Sequence, residues 1–226
     1  MSVLVELAVF NLASVAIAAD CNVPRIELCS DYSVGGVTPA FSDFVEARKL
    51  FSGKIFVMIR PRPGNFVYSD SEFELMLSEM EKFKSAGADG FVSGFLNDNS
   101  TVNIHQTNAF VNACAPLPVT FHRAIDECID YNDAVESVVN CGVKRILSTG
   151  TAPSAFLGKQ YLNEVQKKYS NQLIVVAGGS VRSAGLSDFL NKSVISEVHS
   201  AAIMQAGSDM ANANELNELI RIANAF

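Results

Sequence analysis

Eight short apolar runs alternate along this chain with stretches that have helical spacing. The runs are VLVELAV, RIELCS, KIFVMIR, GFVSGFL, VTFHRA, RILSTG, LIVVAGGS and EVHSA, with polar residues or glycine at or just beyond the end of each. Alternating strands and helices form βαβ units, and eight units within 226 residues are what a closed parallel barrel requires. The pattern predicts an α/β fold, a (β/α)8 TIM barrel, as a single domain over residues 1–226. Functional groups are then expected at the C-terminal ends of the strands.

Helix caps fall in the gaps between these runs. Asn11 is expected to cap the first helix, Ser69 forms a capping box with the glutamate three residues later, and Asp130 caps a later helix. Thr38 precedes a proline, which predicts a helix over residues 39–51. The later helices are expected approximately over residues 153–169, 182–190 and 211–226. Long loops after strands 2, 3 and 4 are predicted to form walls or lids over the barrel mouth.

The charge balance narrows the classes of partner. The net charge is −7 and the pI is about 5.0, without a basic cluster, which disfavours nucleic acid and anionic membranes. The apolar N-terminus lacks a positive residue and is interrupted by Glu6, so it is interpreted as a strand and a helix and not as a signal peptide. No other stretch is apolar and uncharged for long enough to predict a membrane span. Small molecules, metal ions and protein subunits remain.

The five cysteines are scattered and include no CxxC pair. An odd number without zinc-binding spacing favours free thiols in a reducing cytoplasm. A free cysteine usually packs as a small buried hydrophobe. Only Cys29 falls at a strand end, where chemistry is expected.

Strand alternation assigns each residue to the helix-facing or the barrel-facing side. In strand 2, Arg25, Glu27 and Cys29 share the barrel-facing side. Since isolated buried charges cost several kcal/mol, the inward groups must pair or hold a ligand, and pairing of Glu27 or Glu6 with Arg60 is expected. Across five strands, the inward polar set comprises Glu6, Glu27, Cys29, Arg60, Arg62, His122 and His199.

Two interpretations of this inward set are open: a structural polar plug, or a functional pocket. The number of acidic, basic and imidazole groups favours the pocket. Glu6, Glu27 and His122 are the candidate catalytic residues, with His122 foremost because imidazole titrates near neutral pH. The candidate ligand-binding residues are Arg60, Arg62, Arg123, Ser148, Gly178, Gly179 and His199.

The ends of strands 6, 7 and 8 supply a second type of signal. STGT, AGGS and HSAA place small residues and hydroxyls around backbone amides. Phosphate sites in parallel barrels often lie after strands 7 and 8, so an anion cradle is predicted there. The glycine pair could instead serve close packing of a strand against a helix.

The sequence offers two candidate types of metal site, one with histidine and glutamate ligands and one with sulfur ligands. The chain lacks HExxH, which disfavours a hydrolytic zinc enzyme, although His122, His199 and a glutamate could form a facial site. Copper(I) prefers thiolate and thioether ligands, and Cys29 with Met58 is the inward pair of that kind. Simple packing of both side chains is the alternative interpretation.

Several segments together resemble the CutC family, described as copper homeostasis proteins. They are PRIELCSDYSVGGVTP, VMIRPRPGNFVYS, GADGFVSG, VTFHRAID, RILSTG and EVHSAA. The resemblance implies a TIM barrel, a cytoplasmic location and copper as the ligand, with Cys29 as the copper-binding cysteine. The sequence departs from the family pattern at Ile125 and in STGTAPSA, the segment that holds Thr149 and Thr151.

Three functions follow as hypotheses. The first is a copper-binding protein in copper homeostasis, in which a homo-oligomer could share ligands between subunits. The second is an enzyme that acts on a small phosphate or carboxylate, with Arg60 and Arg62 as anion clamps, His122 as proton carrier and Glu6 or Glu27 as base or orienting group. The third is a scaffold for a protein partner.

Overall fold

Eight parallel strands close into a barrel in which each strand pairs with its neighbours in chain order. The computed structural model describes residues 3–226, so the first two residues of the predicted domain lie outside the described residues. The seam that closes the barrel joins β1 to β8, and the fold prediction is confirmed. The strands are β1 Leu4–Val9, β2 Arg25–Leu28, β3 Lys54–Met58, β4 Gly90–Ser93, β5 Val119–Phe121, β6 Arg145–Ser148, β7 Ile174–Gly178 and β8 Glu197–Ser200.

A helix follows each strand and packs on the outside of the barrel. Three predicted caps are confirmed: the side chains of Asn11, Ser69 and Asp130 accept from the backbone at the starts of α1, α3 and α5. The helices are α1 Leu12–Asp20, α2 Phe41–Leu50, α3 Asp70–Ser85, α4 Ile104–Cys114, α5 Tyr131–Asn140, α6 Lys159–Lys168, α7 Leu186–Leu190 and α8 Ala213–Ala223. Short 3₁₀ turns cover Tyr32–Val34 and Arg123–Glu127.

The other predicted helices begin later than the sequence predicts, by a few residues in α6 and α7 and by two in α8. Thr38 does not cap α2; its hydroxyl donates to the Arg60 carbonyl at 3.0 Å and accepts from the Arg60 amide at 2.8 Å, so it ties the chain after β2 to the chain after β3. Helices α6 and α7 begin only after Gly158 and Gly185, and α8 begins after its cap Asn212. In each case the residues before the helix belong to a loop over the barrel mouth.

The apolar core lies between the strands and the helices. The residues assigned to the helix-facing side, such as Leu7, Ile26 and Phe121, are buried there. The interior holds a smaller apolar group of Cys29, Phe56, Met58 and Val92. Every cysteine of the chain is a free thiol. Within residues 3–226, no helix has both the length and the apolar character needed to cross a membrane.

Candidate functional site

A buried ion network fills the lower part of the barrel interior. Arg25 on β2 donates to Glu6 through Nε and to Glu197 through Nη2, and Arg145 donates to Glu197 at 3.2 Å. Phe56 lies against both guanidinium groups, 5.0 Å from Arg25 Cζ to the ring centroid and 5.5 Å from Arg145 Cζ. The expected pairing of Glu6 or Glu27 with Arg60 is therefore wrong, since the hydrogen bonds of the Arg60 side chain within residues 3–226 go to backbone carbonyls. Arg25 is the partner because it stands directly beside Glu6 in the β1–β2 register.

A row of Glu6, His199 and Glu27 lies above this network. His199 Nδ1 donates to Glu6 Oε1 at 2.8 Å, and His199 Nε2 lies 3.4 Å from Glu27 Oε2. Burial would raise the pKa of Glu6, but the Arg25 charge and the His199 hydrogen bond outweigh it and lower the pKa to about 2. Burial likewise opposes a charged His199, yet the Glu6 hydrogen bond and the two carboxylates raise its pKa. Glu6 is therefore an anion and His199 favours the imidazolium.

Glu27 differs from Glu6 because no arginine donates to it. Its side chain is buried, and Oε1 has no hydrogen-bond partner among residues 3–226. Burial, helped by the nearby charge of Glu6, raises the pKa of Glu27 to about 7 against the influence of His199. Near neutral pH this carboxyl can both accept and release a proton.

His122 forms part of the opposite wall. Its ring packs on Phe66 with 4.7 Å between centroids, and its Nδ1 accepts from the Ala124 amide at 3.2 Å. Burial, with the charge of Arg60, lowers the pKa of His122 to about 3. The ring is therefore neutral at physiological pH and carries its proton on Nε2, which has no partner in the described part of the chain. This geometry suits a hydrogen-bond donor better than a base.

Arg60 joins the loops that cover the barrel mouth. Its Nη1 donates to the carbonyls of Val34 and Gly36 at 3.0 and 2.9 Å, and its Nη2 donates to the Gly64 carbonyl at 2.9 Å. The guanidinium also lies over Phe66, 4.9 Å from Cζ to the ring centroid. Most of its donors are used within the protein, so its first role is to hold the loops after β2 and β3 together.

Several predicted site residues lie away from the cavity. The assignment of Arg62 to the barrel-facing side is wrong: β3 ends at Met58, and Arg62 turns outward to pair with Glu72 of α3. Ser148 is buried and donates to Asp126 at 2.6 Å. Gly178 packs against Leu147, whose Cδ1 would lie 2.3 Å from any added Cβ.

The predicted anion cradle after β6 is occupied by a side chain of the protein. The Asp126 carboxylate accepts from Ser148 at 2.6 Å and from the amides of Thr149 and Thr151 at 3.0 and 3.4 Å. Arg123 donates to the same carboxylate through Nε at 3.2 Å. Since one carboxylate satisfies these donors, an external anion has no place at the β6 end.

The remaining groups converge on one cavity of about 610 Å³ at the C-terminal end of the barrel. The wall after β7 adds Val181 and Arg182, which the sequence did not single out, beside Ser180 of the AGGS segment. Eight of the predicted site residues line it, and they are Glu27, Cys29, Met58, Arg60, His122, Arg123, Gly179 and His199.

Sequence reasoning missed the roles of Arg25, Asp126 and Arg182. Arg25 has the same strand parity as Glu27, and this signal could have added it to the candidate partners of Glu6. Asp126 stands three residues after Arg123 in TFHRAID, a spacing that allows an ion pair on a turn. Nothing local identified Arg182, because its place at the cavity depends on the loop after β7.

The donor atoms do not fit a copper(I) site well. Cys29 is the one thiol at the cavity among residues 3–226, and copper(I) prefers more than one soft ligand. Burial, with the charges of Glu27 and Glu6, holds the pKa of Cys29 well above its usual range, so a metal ion would have to displace the thiol proton. Cys29 and Met58 as metal ligands therefore remain a prediction, and both pack in the apolar group with Phe56. One carboxylate oxygen each from Glu6 and Glu27 and one imidazole nitrogen of His199 lie within 4.8 Å of one another. Oxygen and nitrogen donors of this kind suit a divalent cation.

The fold and the polar cavity define a TIM-barrel protein with its site at the C-terminal mouth. The sequence matches the profile of the CutC family over residues 3–204. The chain belongs to this family.

Individual relatives agree with that assignment. A CutC family protein of Vibrio vulnificus (strain CMCP6) is 36% identical over 201 residues, which cover 88% of this chain and 80% of the relative. One of Klebsiella pneumoniae (strain 342) is 37% identical over 205 residues, which cover 91% and 82%. The crystal structure of a CutC protein of Streptococcus agalactiae, whose name assigns it to copper homeostasis, matches with a TM-score of 0.83 at 26% identity and covers 88% of this chain and 98% of that one.

Proposed function

We propose that the barrel mouth is the active site of an acid–base enzyme that acts on a small anionic metabolite. The observation that carries the proposal is the state of the Glu27 carboxyl. It is buried at the cavity, one oxygen has no partner within residues 3–226, and the other lies 3.4 Å from His199 Nε2. A half-satisfied buried carboxyl destabilises the fold unless a ligand completes it.

The row of ionisable groups supplies both a base and an acid for proton transfer. Glu27 accepts a proton from the substrate, and the His199 imidazolium donates one from Nε2. Glu6 is held as an anion by Arg25 and fixes the orientation of the ring through Nδ1. The neutral His122 contributes an Nε2 donor from the facing wall. General acid–base catalysis by groups of this kind contributes about 10²–10⁴ to a rate.

Solvent-proton exchange tests this function even when the product of the reaction is unidentified. A panel of 2-keto acids, aldose phosphates and ketose phosphates is incubated with the protein in D₂O, and loss of carbon-bound hydrogen is followed by ¹H NMR. We expect exchange in at least one compound with the wild type, and a reduction of about a hundredfold or more in Glu27→Gln. Glu218→Gln on the exposed surface of α8 is the matched control and should retain the rate.

Two results would contradict the proposal. The first is the absence of exchange or conversion in every compound of the panel with the wild-type protein. The second is an exchange rate in Glu27→Gln equal to that in Glu218→Gln. Either result would indicate that Glu27 has a structural role and does not transfer a proton.

A role in copper homeostasis is the second candidate function. It is supported by the name of the Streptococcus agalactiae relative and by the Glu6, Glu27 and His199 donor group. Chelator competition with copper(I) and with copper(II) should be measured for the wild type, Cys29→Ser and His199→Asn. Weaker copper(I) binding in Cys29→Ser alone would support the cysteine as ligand, whereas weaker copper(II) binding in His199→Asn alone would support the carboxylate–imidazole group. Unchanged affinities in both variants would contradict copper binding at this mouth.

A further inference from the structure

We propose that the end of β7 holds a phosphate group, so that the substrate is a small phosphate monoester. The proposed site is the segment Gly179–Arg182 with Arg123, and we call it the β7 cradle. It deepens the proposed acid–base function, on which it rests for the reacting end of the substrate. The phosphate site itself depends on separate contacts.

Consecutive free amides are the first of these contacts. Ser180, Val181 and Arg182 line the cavity, and none of their backbone N–H groups has an acceptor among residues 3–226. Gly179 has φ +103° and Ser180 has φ +60°, so the chain has positive φ values at the start of this segment. Successive N–H groups in such turns form concave sites that bind anions.

Arg123 places a positive charge beside this turn. A Cβ on Gly179 would lie 3.6 Å from Arg123 Cζ and 2.3 Å from Thr149 Cγ2, so the guanidinium is directly over the glycine. Arg123 uses Nε for Asp126. Both terminal nitrogens lack an acceptor within residues 3–226 and remain available to a phosphate. Only glycine leaves room at position 179.

Thr149 lies at the same corner of the cavity. Its side chain is 1% exposed, and its Oγ1 has no hydrogen-bond partner in the described part of the chain. Its methyl group faces Gly179. Thr149 therefore borders the cradle through its methyl group, and the phosphate donors are the three amides and Arg123.

Two carboxylates near the cradle, Asp126 and Glu127, could repel a bound phosphate. Asp126 lines the same cavity, but its carboxylate already accepts from Arg123, Ser148 and the backbone amides after β6. Glu127 is on the exposed rim, where solvent and salt screen its charge. The three amides and both terminal nitrogens of Arg123 therefore lie at the cavity without an acceptor among residues 3–226, and the Asp126 carboxylate beside Arg123 is already hydrogen-bonded.

The number of donors favours a phosphate over a carboxylate. Three amides and a guanidinium match the several oxygens of a phosphate dianion. The cradle is also close to the acid–base pair, because Gly178 and His199 are register partners. Ser180 follows two residues later, roughly 7 Å along the chain. A monoester with a short carbon chain spans that separation.

Phosphate titration of the full chain tests the cradle. Inorganic phosphate, sulfate and acetate are each titrated by calorimetry at constant ionic strength. We expect phosphate to bind about tenfold more tightly than acetate, and Arg123→Gln to weaken phosphate binding about tenfold or more. Gly179→Ala should abolish it. Arg221→Gln, on the exposed surface of α8, makes the same charge change and should leave the affinity unchanged.

The outcomes separate this inference from the proposed function. Equal affinity for phosphate and acetate, or equal effects of Arg123→Gln and Arg221→Gln, would overturn the cradle. If Gly179→Ala does not fold, Arg123→Gln still decides. Glu27→Gln should bind phosphate as the wild type does while it loses proton exchange. If proton exchange depends on Glu27 but phosphate does not bind, the proposed acid–base function is retained and the phosphate site is rejected.

Discussion

His199 donates to Glu6 across the seam that closes the barrel. The Nδ1–Oε1 distance is 2.8 Å, and the two residues are register partners on β8 and β1. Glu6 is ionised and accepts the hydrogen bond from His199 Nδ1. The other ring nitrogen, Nε2, is therefore directed toward Glu27. The pairing that closes the fold therefore also sets the orientation of the candidate acid.

Arg25→Met should destabilise the protein strongly. Arg25 is 2% exposed and is the shared partner of Glu6 and Glu197, so its loss removes one of the two cationic partners of each buried carboxylate. Breaking a buried ion pair by removing one partner costs about 3–5 kcal/mol. Urea denaturation measures the change in the free energy of unfolding. Arg221→Met, in an exposed pair on α8, should change it by about 0.5 kcal/mol or less.

Glu27 should make stability fall as pH rises toward neutral. Its pKa rises from 4.5 to about 7 on folding, so between these values the folded state holds more protons than the unfolded state. The free energy of unfolding then decreases with pH over this window. Glu27→Gln removes this contribution, and its stability should depend less steeply on pH from 5 to 7. Parallel slopes in urea denaturation across that range would contradict the raised pKa.

His122 should remain a neutral ring from pH 5 to 8. Burial and Arg60 lower its pKa to about 3, and the Ala124 amide at Nδ1 places the proton on Nε2. Long-range ¹H–¹⁵N NMR of the imidazole distinguishes the two tautomers and the imidazolium. We expect the Nε2–H tautomer without titration. A midpoint between pH 6 and 7 would instead support His122 as the proton carrier.

Arg60→Met should loosen the loops over the cavity. Arg60 donates to Val34, Gly36 and Gly64 in two separate loops, and each hydrogen bond from a charged group contributes about 1.5–3 kcal/mol. Hydrogen–deuterium exchange should become about tenfold faster or more in residues 31–37 and 62–66. Exchange in α8 should change less, and equal changes in both regions would indicate global destabilisation instead.

The sequence determined the barrel because its signals are local and repeated. Strand alternation correctly turned Glu6, Glu27 and His199 inward, and the caps at Ser69 and Asp130 lie where the pattern predicted them. The same reasoning failed for Arg62, since the strand had already ended at Met58 and alternation no longer applied. Parity predicts a direction only while the chain remains extended.

The tertiary structure decided which inward groups meet. Neighbouring strands can be shifted along one another, so the sequence alone could not choose between Arg25 and Arg60 as the partner of Glu6. The register of β1 and β2 places Arg25 directly beside Glu6. The carboxylate of Asp126, which is distant in sequence, likewise accepts hydrogen bonds from the amides after β6. The amides of residues 180–182, after β7, have no such acceptor among residues 3–226. Local propensities thus determined the elements and their facing sides, while strand register and loop packing determined the charge pairs and the place left for a ligand.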